Sequence, residues 1–583
     1  MFRHIIDSHN QYECQSIKEL NNSNGTLSDS VIHLKLTRKF NSPIEDIRFN
    51  SNIKKITFHP ESKFNYVIPI QVLPCNLIEL RLPRFFNKII IPGILPESLR
   101  ILTFGHNYNY EILPHALPSK LYQLEFDGIF NKVILPNILP ANLKNLIFGS
   151  GFNQSIDGIL PNLEILKLGV IFNQRINVLP DTLKRLTLSK HYNHSIDGII
   201  PDVLHYLDLG CNFNQMILPN TLKNVRRLII SNAFNQPLTC NVLPDDLETL
   251  YFASFSKFNN EIVIPSNIKH IKFRPFSEFD SPLHHVMQCN SYSKLTHLDL
   301  SDHFNQELTW IPESVRYLKL GWEFNSIIHK QAICNLQKLE FGIRFNKPLN
   351  NILSNKLEEL ILGYEYRQPL TDLPPSLKYL VVFTDLDLVL PPNIKTLYLG
   401  GEFNHVIDMP LTLLHLQVGN SFNQPLADLN IIQLKTGQAF NHPIDHLTKL
   451  IMLELGDDFD QPICKLPNNL ETLIITHSYS WRLPKLPDSL ITLELANNYH
   501  HELDLPLNLF KLRLGYEYPH QIDAPGVAMC YLLNRTLCPH IDMIINEKRG
   551  SIIDSYWHTR NLDMIMSNTN TPNDIHGTIL KYI

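Results

Sequence analysis

One short unit returns about 24 times along this chain of 583 residues, and it constrains the fold more than any other feature. A representative copy, residues 139–156, reads Leu-Pro-Ala-Asn-Leu-Lys-Asn-Leu-Ile-Phe-Gly-Ser-Gly-Phe-Asn-Gln-Ser-Ile. The spacing between copies shortens from roughly 22 residues near the N-terminus to about 19 or 20 near the C-terminus. A nearly fixed period in this range predicts a solenoid, in which each copy forms one turn of a coil.

Each copy contains a Leu-x-Leu step whose alternation is typical of a short β-strand with both leucines on one face. A glycine often follows, as at Gly169 and Gly456, and it predicts a tight turn with positive φ. The Leu-Pro step before the strand fixes φ and removes a backbone donor, which favours an extended segment across the coil. The predicted fold class is therefore mainly β: a leucine-rich-repeat-like solenoid of about 24 stacked repeats with little α-helix.

An aromatic residue followed by Asn comes after the strand in most copies. We expect these side chains to form a structural ladder, with the rings buried and each Asn inside the coil, bonding backbone groups of adjacent turns. In the last three copies the Asn position reads Ser480, His500 and Pro519, which predicts that the ladder fades over residues 470–523. The residues assigned to this structural ladder are Phe152, Asn153, Phe172, Asn173, Phe213, Asn214, Phe234 and Asn235.

The tetrapeptide Phe-Asn-Gln-Pro occurs whole at residues 234–237 and 422–425. The unit resembles the FNIP repeat of social amoebae and giant amoebal viruses, over roughly residues 31–523. It is also similar to short leucine-rich repeats, for example at residues 373–380. Many FNIP proteins carry an F-box before the repeats, but the first 30 or so residues here are too few for one.

The array divides the chain into three predicted parts: a short N-terminal segment or cap at 1–30, the solenoid at 31–523, and a non-repeat part at 524–583. Residues 527–533, 541–547 and 552–566 have patterns that fit short helices. A last repeat without a neighbour exposes a strand edge, so we expect 524–583 to form a cap, with a small docking module as the alternative.

Composition excludes several classes of protein. The 51 basic and 56 acidic residues give a net charge of −5 without the basic footprint of a nucleic-acid binder. No apolar run predicts a membrane span or a secretory signal. The nine cysteines are odd in number and irregularly spaced, which indicates free thiols in a reducing compartment. We therefore expect a cytoplasmic protein, in the host cytoplasm if it is viral.

The sequence contains no recognisable catalytic or metal-binding motif. The densest histidine pairs, His284-His285 and His500-His501, lack a second cluster at ligand spacing. We predict no enzyme activity, no cofactor and no metal.

Three copies carry a two-residue insertion after the strand, at residues 58–64, 252–258 and 273–279. The adjacent pair reads Phe-Ala-Ser-Phe-Ser-Lys-Phe and Phe-Arg-Pro-Phe-Ser-Glu-Phe. Insertions in repeats usually lie on one rim, so this double bulge is a candidate site. A neutral insertion that was later duplicated is the alternative.

The residue between the two leucines points away from the core and varies from copy to copy, as does the residue two positions earlier. In the middle of the chain these positions hold Tyr and Arg, the types enriched in binding hot spots. Aromatic residues also simply suit strands, which is the alternative. The predicted partner-binding residues are Tyr206, Arg227, Tyr251, His270, Lys272, His297, Tyr317 and Lys319.

The sequence thus predicts a non-enzymatic scaffold that binds a protein partner on the face formed by the stacked strands. Neither a nucleic acid nor a membrane is expected as a partner. The alternative function, implied by the family resemblance, is a substrate receptor of a ubiquitin ligase that docks through residues 524–583.

Overall fold

The computed structural model describes residues 11–14, 30–45, 47, 49–283, 287–289, 294–475, 479–495, 499–515, 518–520 and 529–532. The chain divides into two compact units. Unit 1 comprises Met1–Phe279 with His285–Leu295, and unit 2 comprises Asp280–His284 with Thr296–Ile583.

Unit 1 is built from short parallel strands, most of which pair with the strand of the preceding turn. Two of them, β13 and β15, form a separate parallel pair. The strands are β1 Gln11–Cys14, β2 His33–Leu36, β3 Lys55–Phe58, β4 Glu79–Arg81, β5 Ile101–Phe104, β6 Gln123–Phe126, β7 Asn145–Ile147, β8 Ile165–Lys167, β9 Arg185–Thr187, β10 Tyr206–Asp208, β11 Arg227–Ile230, β12 Thr249–Phe252, β13 Ile262–Ile264, β14 His270–Phe273 and β15 Met287–Cys289.

Unit 2 repeats the same arrangement, and a 3₁₀ helix at Lys330–Ile333 lies in one of its connecting segments. Its strands are β16 His297–Asp299, β17 Tyr317–Lys319, β18 Lys338–Glu340, β19 Glu359–Ile361, β20 Tyr379–Val382, β21 Thr396–Leu399, β22 His415–Val418, β23 Gln433–Lys435, β24 Met452–Leu455, β25 Thr472–Ile475, β26 Thr492–Glu494, β27 Lys511–Leu514 and β28 Met529–Leu532. The predicted mainly β, leucine-rich-repeat-like solenoid is confirmed.

Strands β1 and β28 extend the stack beyond the repeats recognised in the sequence. Strand β1 pairs with β2, and β28 pairs with β27, both in parallel. The helix predicted at 527–533 is therefore wrong. The edge of β27 offers unpaired backbone groups, and pairing with them is more favourable than a short isolated helix. The helices predicted at 541–547 and 552–566 lie outside the described residues, and the three-part division stays a prediction.

The leucines of the strands form the core in strict register. Leu124 of β6 pairs with Leu146 of β7, which pairs with Leu166 of β8, and all three side chains are fully buried. The residues on either side of each leucine are partly exposed, so the strands alternate as the Leu-x-Leu pattern predicts. Each turn buries its leucines only because a neighbour covers them, as expected for a repeat too small to fold alone.

The aromatic column forms a second line through the core. The rings of Phe130, Phe152 and Phe172 stack with centroid distances of 6.0 and 6.2 Å and interplanar angles of 3° and 6°. Phe213 and Phe234 stack in the same way at 6.2 Å. All of these rings are buried and reach no solvent, so their role is to pack one turn on the next.

The glycines at the strand ends have a different role from the one predicted. Only Gly210 of this column has a positive φ among the described residues. A Cβ atom on Gly169 would lie 1.6 Å from the carbonyl oxygen of Gly149, and one on Gly456 would lie 1.9 Å from that of Gly437. Close approach of successive turns, not backbone freedom, therefore requires glycine here.

The Asn side chains lie at the surface rather than inside the coil, which corrects the sequence-based expectation. The Oδ1 atom of Asn153 accepts the backbone N–H of Asn173 at 2.9 Å, and Asn131 accepts the N–H of Asn153 at 2.9 Å. The same bond joins Asn193 to Asn214 and Asn214 to Asn235. The aromatic residue just before each Asn is anchored inward, so the next residue must point outward.

Candidate interaction face

The predicted partner-binding residues all lie on the strand face, which we define as the surface formed by the strand side chains that alternate with the buried leucines. In unit 1, Tyr206, Arg227 and His270 occupy one column of this face, and Tyr251 and Lys272 the adjacent column. In unit 2, His297 pairs with Tyr317, and Lys319 lies in the adjacent column. The structure thus brings together two groups, one within each unit.

The unit 1 group contains alternating arginines and tyrosines, which we call the Arg–Tyr ladder. The guanidinium of Arg227 lies 5.8 Å from the ring centre of Tyr206 and 4.9 Å from that of Tyr251. Arg185 extends the ladder at one end, 4.6 Å from Tyr206, and Arg274 at the other, 5.8 Å from Tyr251. Each arginine is within the range of a cation–π interaction, which orients its N–H groups along the face.

One half-buried carboxylate, that of Asp208, lies two residues after Tyr206 of the ladder on the same strand. Burial raises the pKa of Asp208, while a hydrogen bond of 3.0 Å from the backbone N–H of Gly210 and the charges of Arg274 and Lys167 act to lower it. Burial also raises the pKa of Tyr206, so its hydroxyl stays protonated at neutral pH. Asp208 accepts this hydrogen bond from the backbone of its own turn and not from an arginine.

The unit 2 group is a compact network of opposite charges. The Tyr317 hydroxyl donates a hydrogen bond of 3.2 Å to Glu340, and the ammonium of Lys319 pairs with the same carboxylate. The ring of His297 lies 5.4 Å from that of Tyr317, and the Lys338 ammonium is also 5.4 Å from the Tyr317 ring centre. Lys338 in turn pairs with Glu359 at 2.9 Å, so the two lysines of this network are each matched by a glutamate.

The pKa values of this network follow from burial and from Glu340. Burial and the negative charges of Glu340 and Asp299 raise the pKa of Tyr317 well above its usual range. For Lys319, burial acts to lower the pKa, but the Glu340 carboxylate outweighs it and the pKa is raised. Both groups therefore remain protonated at neutral pH, which keeps the hydrogen bonds to Glu340 in place.

The two inserted turns of unit 1 present an unusual pair of aromatic rings. Phe255 and Phe276 both have left-handed backbone conformations, with φ of 58° and 61°. Their rings stack at 4.9 Å, and Phe255 is 52% exposed. A buried serine supports each bulge: Ser277 Oγ donates to the carbonyl of Arg274 at 2.6 Å, and Ser256 Oγ accepts the backbone N–H of Phe258 at 3.3 Å. A bulky residue in this conformation is strained, so the surrounding turn holds it there.

Two shallow grooves lie elsewhere on the surface. One of about 230 Å³ in unit 2 runs beside Tyr398, Gln417, Lys435 and Glu454 and is open to solvent. Its charged residues are already paired, since Lys435 contacts Glu454 at 2.8 Å. The other, of about 360 Å³ in unit 1, lies beside Arg38, Lys63 and Phe85.

The described part of the chain holds no group of three or more His, Cys, Asp or Glu side chains arranged to bind a metal ion. His284 and His285 lie outside it, and His501 instead bonds the carbonyl oxygen of Ser480 at 2.9 Å. None of the helices in the described residues combines the length and apolar character needed to cross a bilayer.

The stacked turns, the leucine columns and the variable strand face define a leucine-rich-repeat-like solenoid. The FNIP Repeat family matches residues 86–128, 130–169, 213–255, 234–276, 304–343 and 345–381. A solved structure of CroV588, a circular leucine-rich-repeat protein of a giant virus, is 31% identical over 90% of this chain and 85% of that one, with a TM-score of 0.71. The chain belongs to the FNIP-repeat proteins.

Other solved structures are more distant. YopM from Yersinia enterocolitica WA-314 is 20% identical over 86% of this chain and 91% of that one, with a TM-score of 0.32. The TLR13 chain of a TLR13–ssRNA13 complex is 15% identical over 86% of this chain and 83% of that one, with a TM-score of 0.48. Neither TM-score supports an inference about this chain. Among curated proteins, none matches the sequence.

Sequence reasoning missed several residues of these groups. Arg185 and Arg274 complete the Arg–Tyr ladder but were not selected, although Arg185 is one turn before Tyr206 in the same column. Glu340, which joins Tyr317 to Lys319, was also missed. Its position in the column of Lys319, one turn later, is the signal that could have identified it.

Proposed function

We propose that the chain is a non-enzymatic scaffold that binds a protein partner on its strand face. The FNIP and leucine-rich-repeat likeness supports a binding role, because such solenoids are typical of protein-interaction scaffolds. The observation that carries the proposal is the exposed guanidinium of Arg227, held between the rings of Tyr206 and Tyr251. Oriented arginine and tyrosine side chains are those that dominate binding energy at protein interfaces.

Site-specific photo-crosslinking in amoebal extract tests this proposal. A benzophenone amino acid replaces Thr249 on the unit 1 strand face, or the exposed His297 on the unit 2 strand face. Matched controls carry it at Val133 or Val406, which are 60% and 72% exposed after the aromatic–Asn pair, away from the strands. Reproducible capture of a protein at a face position, without its capture at the control positions, supports the proposal. Equal capture at face and control positions, or none at either face position, overturns it.

We further propose a cytoplasmic setting, in the host if the protein is viral. The irregular cysteine spacing supports it, as do the free thiols of Cys75, Cys211, Cys240, Cys334 and Cys464. The ubiquitin-ligase alternative stays a prediction from the family resemblance. Ligase-core proteins among the captured partners would favour it.

A further inference from the structure

The cations of the strand face fall into two classes. In most places a lysine or arginine pairs with a glutamate on its own or a neighbouring strand. Lys55 and Arg81 contact Glu79 at 3.0 and 2.6 Å in unit 1, and Lys338 contacts Glu359 at 2.9 Å in unit 2. These cations are neutralised by the protein itself.

The arginines of the Arg–Tyr ladder belong to the other class. Within the described residues, no carboxylate lies within ion-pair distance of Arg185, Arg227 or Arg274, and their guanidinium groups contact tyrosine rings instead. Each guanidinium has five N–H donors and no acceptor, and its planar fork matches a carboxylate. Stacking on tyrosine fixes the orientation of the fork without using its donors.

The inserted turns place the strained aromatic pair next to this charge. Arg274, at one end of the ladder, lies two residues before Phe276, and Tyr251 lies four residues before Phe255. The same two turns therefore carry the guanidinium of Arg274 and the exposed ring of Phe255. Strained conformations persist where the surrounding structure fixes them, and they are frequent at binding sites.

Resting on the proposed function, we propose that the Arg–Tyr ladder and the Phe255–Phe276 pair bind an acidic segment of a partner protein. The arginines pair with aspartate or glutamate side chains, and an apolar side chain of the segment packs on the exposed ring of Phe255, which stacks on Phe276. Charge complementarity selects this occupant, since the strands β8–β12 carry Lys167, Arg185 and Arg227 with only the half-buried Asp208 as a carboxylate.

A nucleic acid is the less favoured occupant. Its binding requires a basic surface that follows many phosphates, whereas this chain has a net charge of −5. The ladder is short, and on the same face of unit 1 it is preceded by Glu125. This carboxylate would repel a long polyanion but leave room for a short acidic segment.

Fluorescence anisotropy on the full-length chain tests the inference. The probe is a fluorescein-labelled peptide with one phenylalanine flanked on both sides by glutamates. We expect saturable binding that weakens as salt is added. Arg227→Gln keeps a planar amide but removes the charge, and it should raise the Kd about tenfold. Phe255→Asn, which tolerates the left-handed backbone, should also raise the Kd while leaving the melting temperature equal or higher.

Arg81→Gln is the matched control, because Arg81 lies on the same face but already pairs with Glu79. It should leave the Kd unchanged. Equal weakening by Arg81→Gln and Arg227→Gln would overturn the inference. So would equal competition by a peptide with every glutamate replaced by glutamine, or displacement of the probe by single-stranded RNA at a lower concentration than the acidic peptide.

The test of this inference and the test of the scaffold proposal can fail independently. Capture of a protein at position 249 with no binding of the glutamate peptide overturns this inference and leaves the scaffold proposal intact. Absence of capture at either face position overturns the scaffold proposal, whatever the peptide does.

Discussion

Residue type at the strand ends is selected by how closely successive turns approach. Gly149 and Gly169 belong to adjacent turns, and a Cβ atom on Gly169 would overlap the carbonyl oxygen of Gly149. A recurring glycine is expected both where a turn needs a positive φ and where two backbones approach closely. The sequence alone therefore does not distinguish these two causes.

Replacing Gly169 by Ala should destabilise the protein by about 3 kcal/mol or more, because its Cβ would overlap the backbone of Gly149 and both turns must shift. Gly401→Ala is the control. A Cβ at Gly401 meets no atom within 4 Å, so this change should be neutral or stabilising by less than about 1 kcal/mol. Thermal unfolding measures both. Similar losses for the two variants would show that backbone freedom matters at both sites.

Tyrosines in the aromatic column differ in whether their hydroxyl group forms a hydrogen bond. The buried Tyr108 hydroxyl contacts no donor or acceptor in the described residues, and burial raises the pKa of Tyr108 well above its usual range. The Tyr479 hydroxyl instead accepts the backbone N–H of Ile463 and the Tyr499 hydroxyl that of Leu483, both at 3.1 Å.

We therefore expect opposite outcomes from the same substitution. Tyr108→Phe removes an unsatisfied buried hydroxyl and should be neutral or stabilising by up to about 1 kcal/mol. Tyr479→Phe leaves the N–H of Ile463 unpaired and should cost about 1–3 kcal/mol. Chemical denaturation of both variants decides the matter, and a loss of stability in Tyr108→Phe alone would contradict the assignment.

At the scale of the element, the Asn ladder links each turn to the next along the surface. The acceptor need not be an amide. Asp280 accepts the N–H of Asn305 at 2.8 Å, and Asp460 accepts that of Ser480 at 2.9 Å. Gln side chains add to the ladder, as Gln154 Nε2 donates to Asn131 Oδ1 at 3.0 Å. The column therefore selects a short side chain with an acceptor oxygen.

Replacing Asn153 by Leu should cost about 1 kcal/mol, because the N–H of Asn173 loses its acceptor but remains accessible to water. Asn153→Asp preserves the acceptor and should change stability by less than about 0.5 kcal/mol. Differential scanning calorimetry of both variants measures this. Equal destabilisation by Leu and Asp would indicate that the ladder depends on the amide and not on the acceptor.

The elements themselves could be predicted because packing imposes the same residue on every turn. Leu124, Leu146 and Leu166 repeat since each must fill the same space, so a single sequence reveals the strand and its inward face. The Arg–Tyr ladder could be predicted only in part. Tyr206 and Arg227 could be predicted from their residue types at positions of the strand face. The contact of Arg274 with Tyr251 depends on the path of an inserted turn, which the repeat period does not describe.

At the scale of the whole molecule, stability is expected to be a sum of local and nearest-neighbour contributions. The Asn ladder was predicted to fade over residues 470–523, and among the described residues its last backbone-to-side-chain bond is the one that Ser480 makes to Asp460. Beyond it, histidine side chains bond carbonyl oxygens of the preceding turn instead. Ser480 donates both N–H and Oγ–H to Asp460, at 2.9 and 2.7 Å, and the His520 ring bonds the carbonyl of His500 at 2.7 Å. The described turns at this end are therefore joined to their neighbours through different side chains.

A chain that ends at Asp523 lacks β28 and should expose the edge of β27. We expect faster amide exchange at Lys511–Leu514 than in the full-length protein, with exchange at Asn145–Ile147 unchanged as the internal control. Hydrogen exchange with mass spectrometry provides the comparison. Unchanged protection of β27 would mean that β28 does not cover this edge, and it would count against 524–583 as a cap.

The parallel, in-register pairing of successive strands also has a mechanical consequence. Within each unit the chain enters at one end of the stack and leaves at the other, so tension applied along the chain acts on the terminal turn first. Only the contacts of that turn with its single neighbour then resist the force, while the turns behind it remain folded. Each unit should therefore extend by peeling at low, nearly constant force, and rewind turn by turn on the remaining folded template when the load is released.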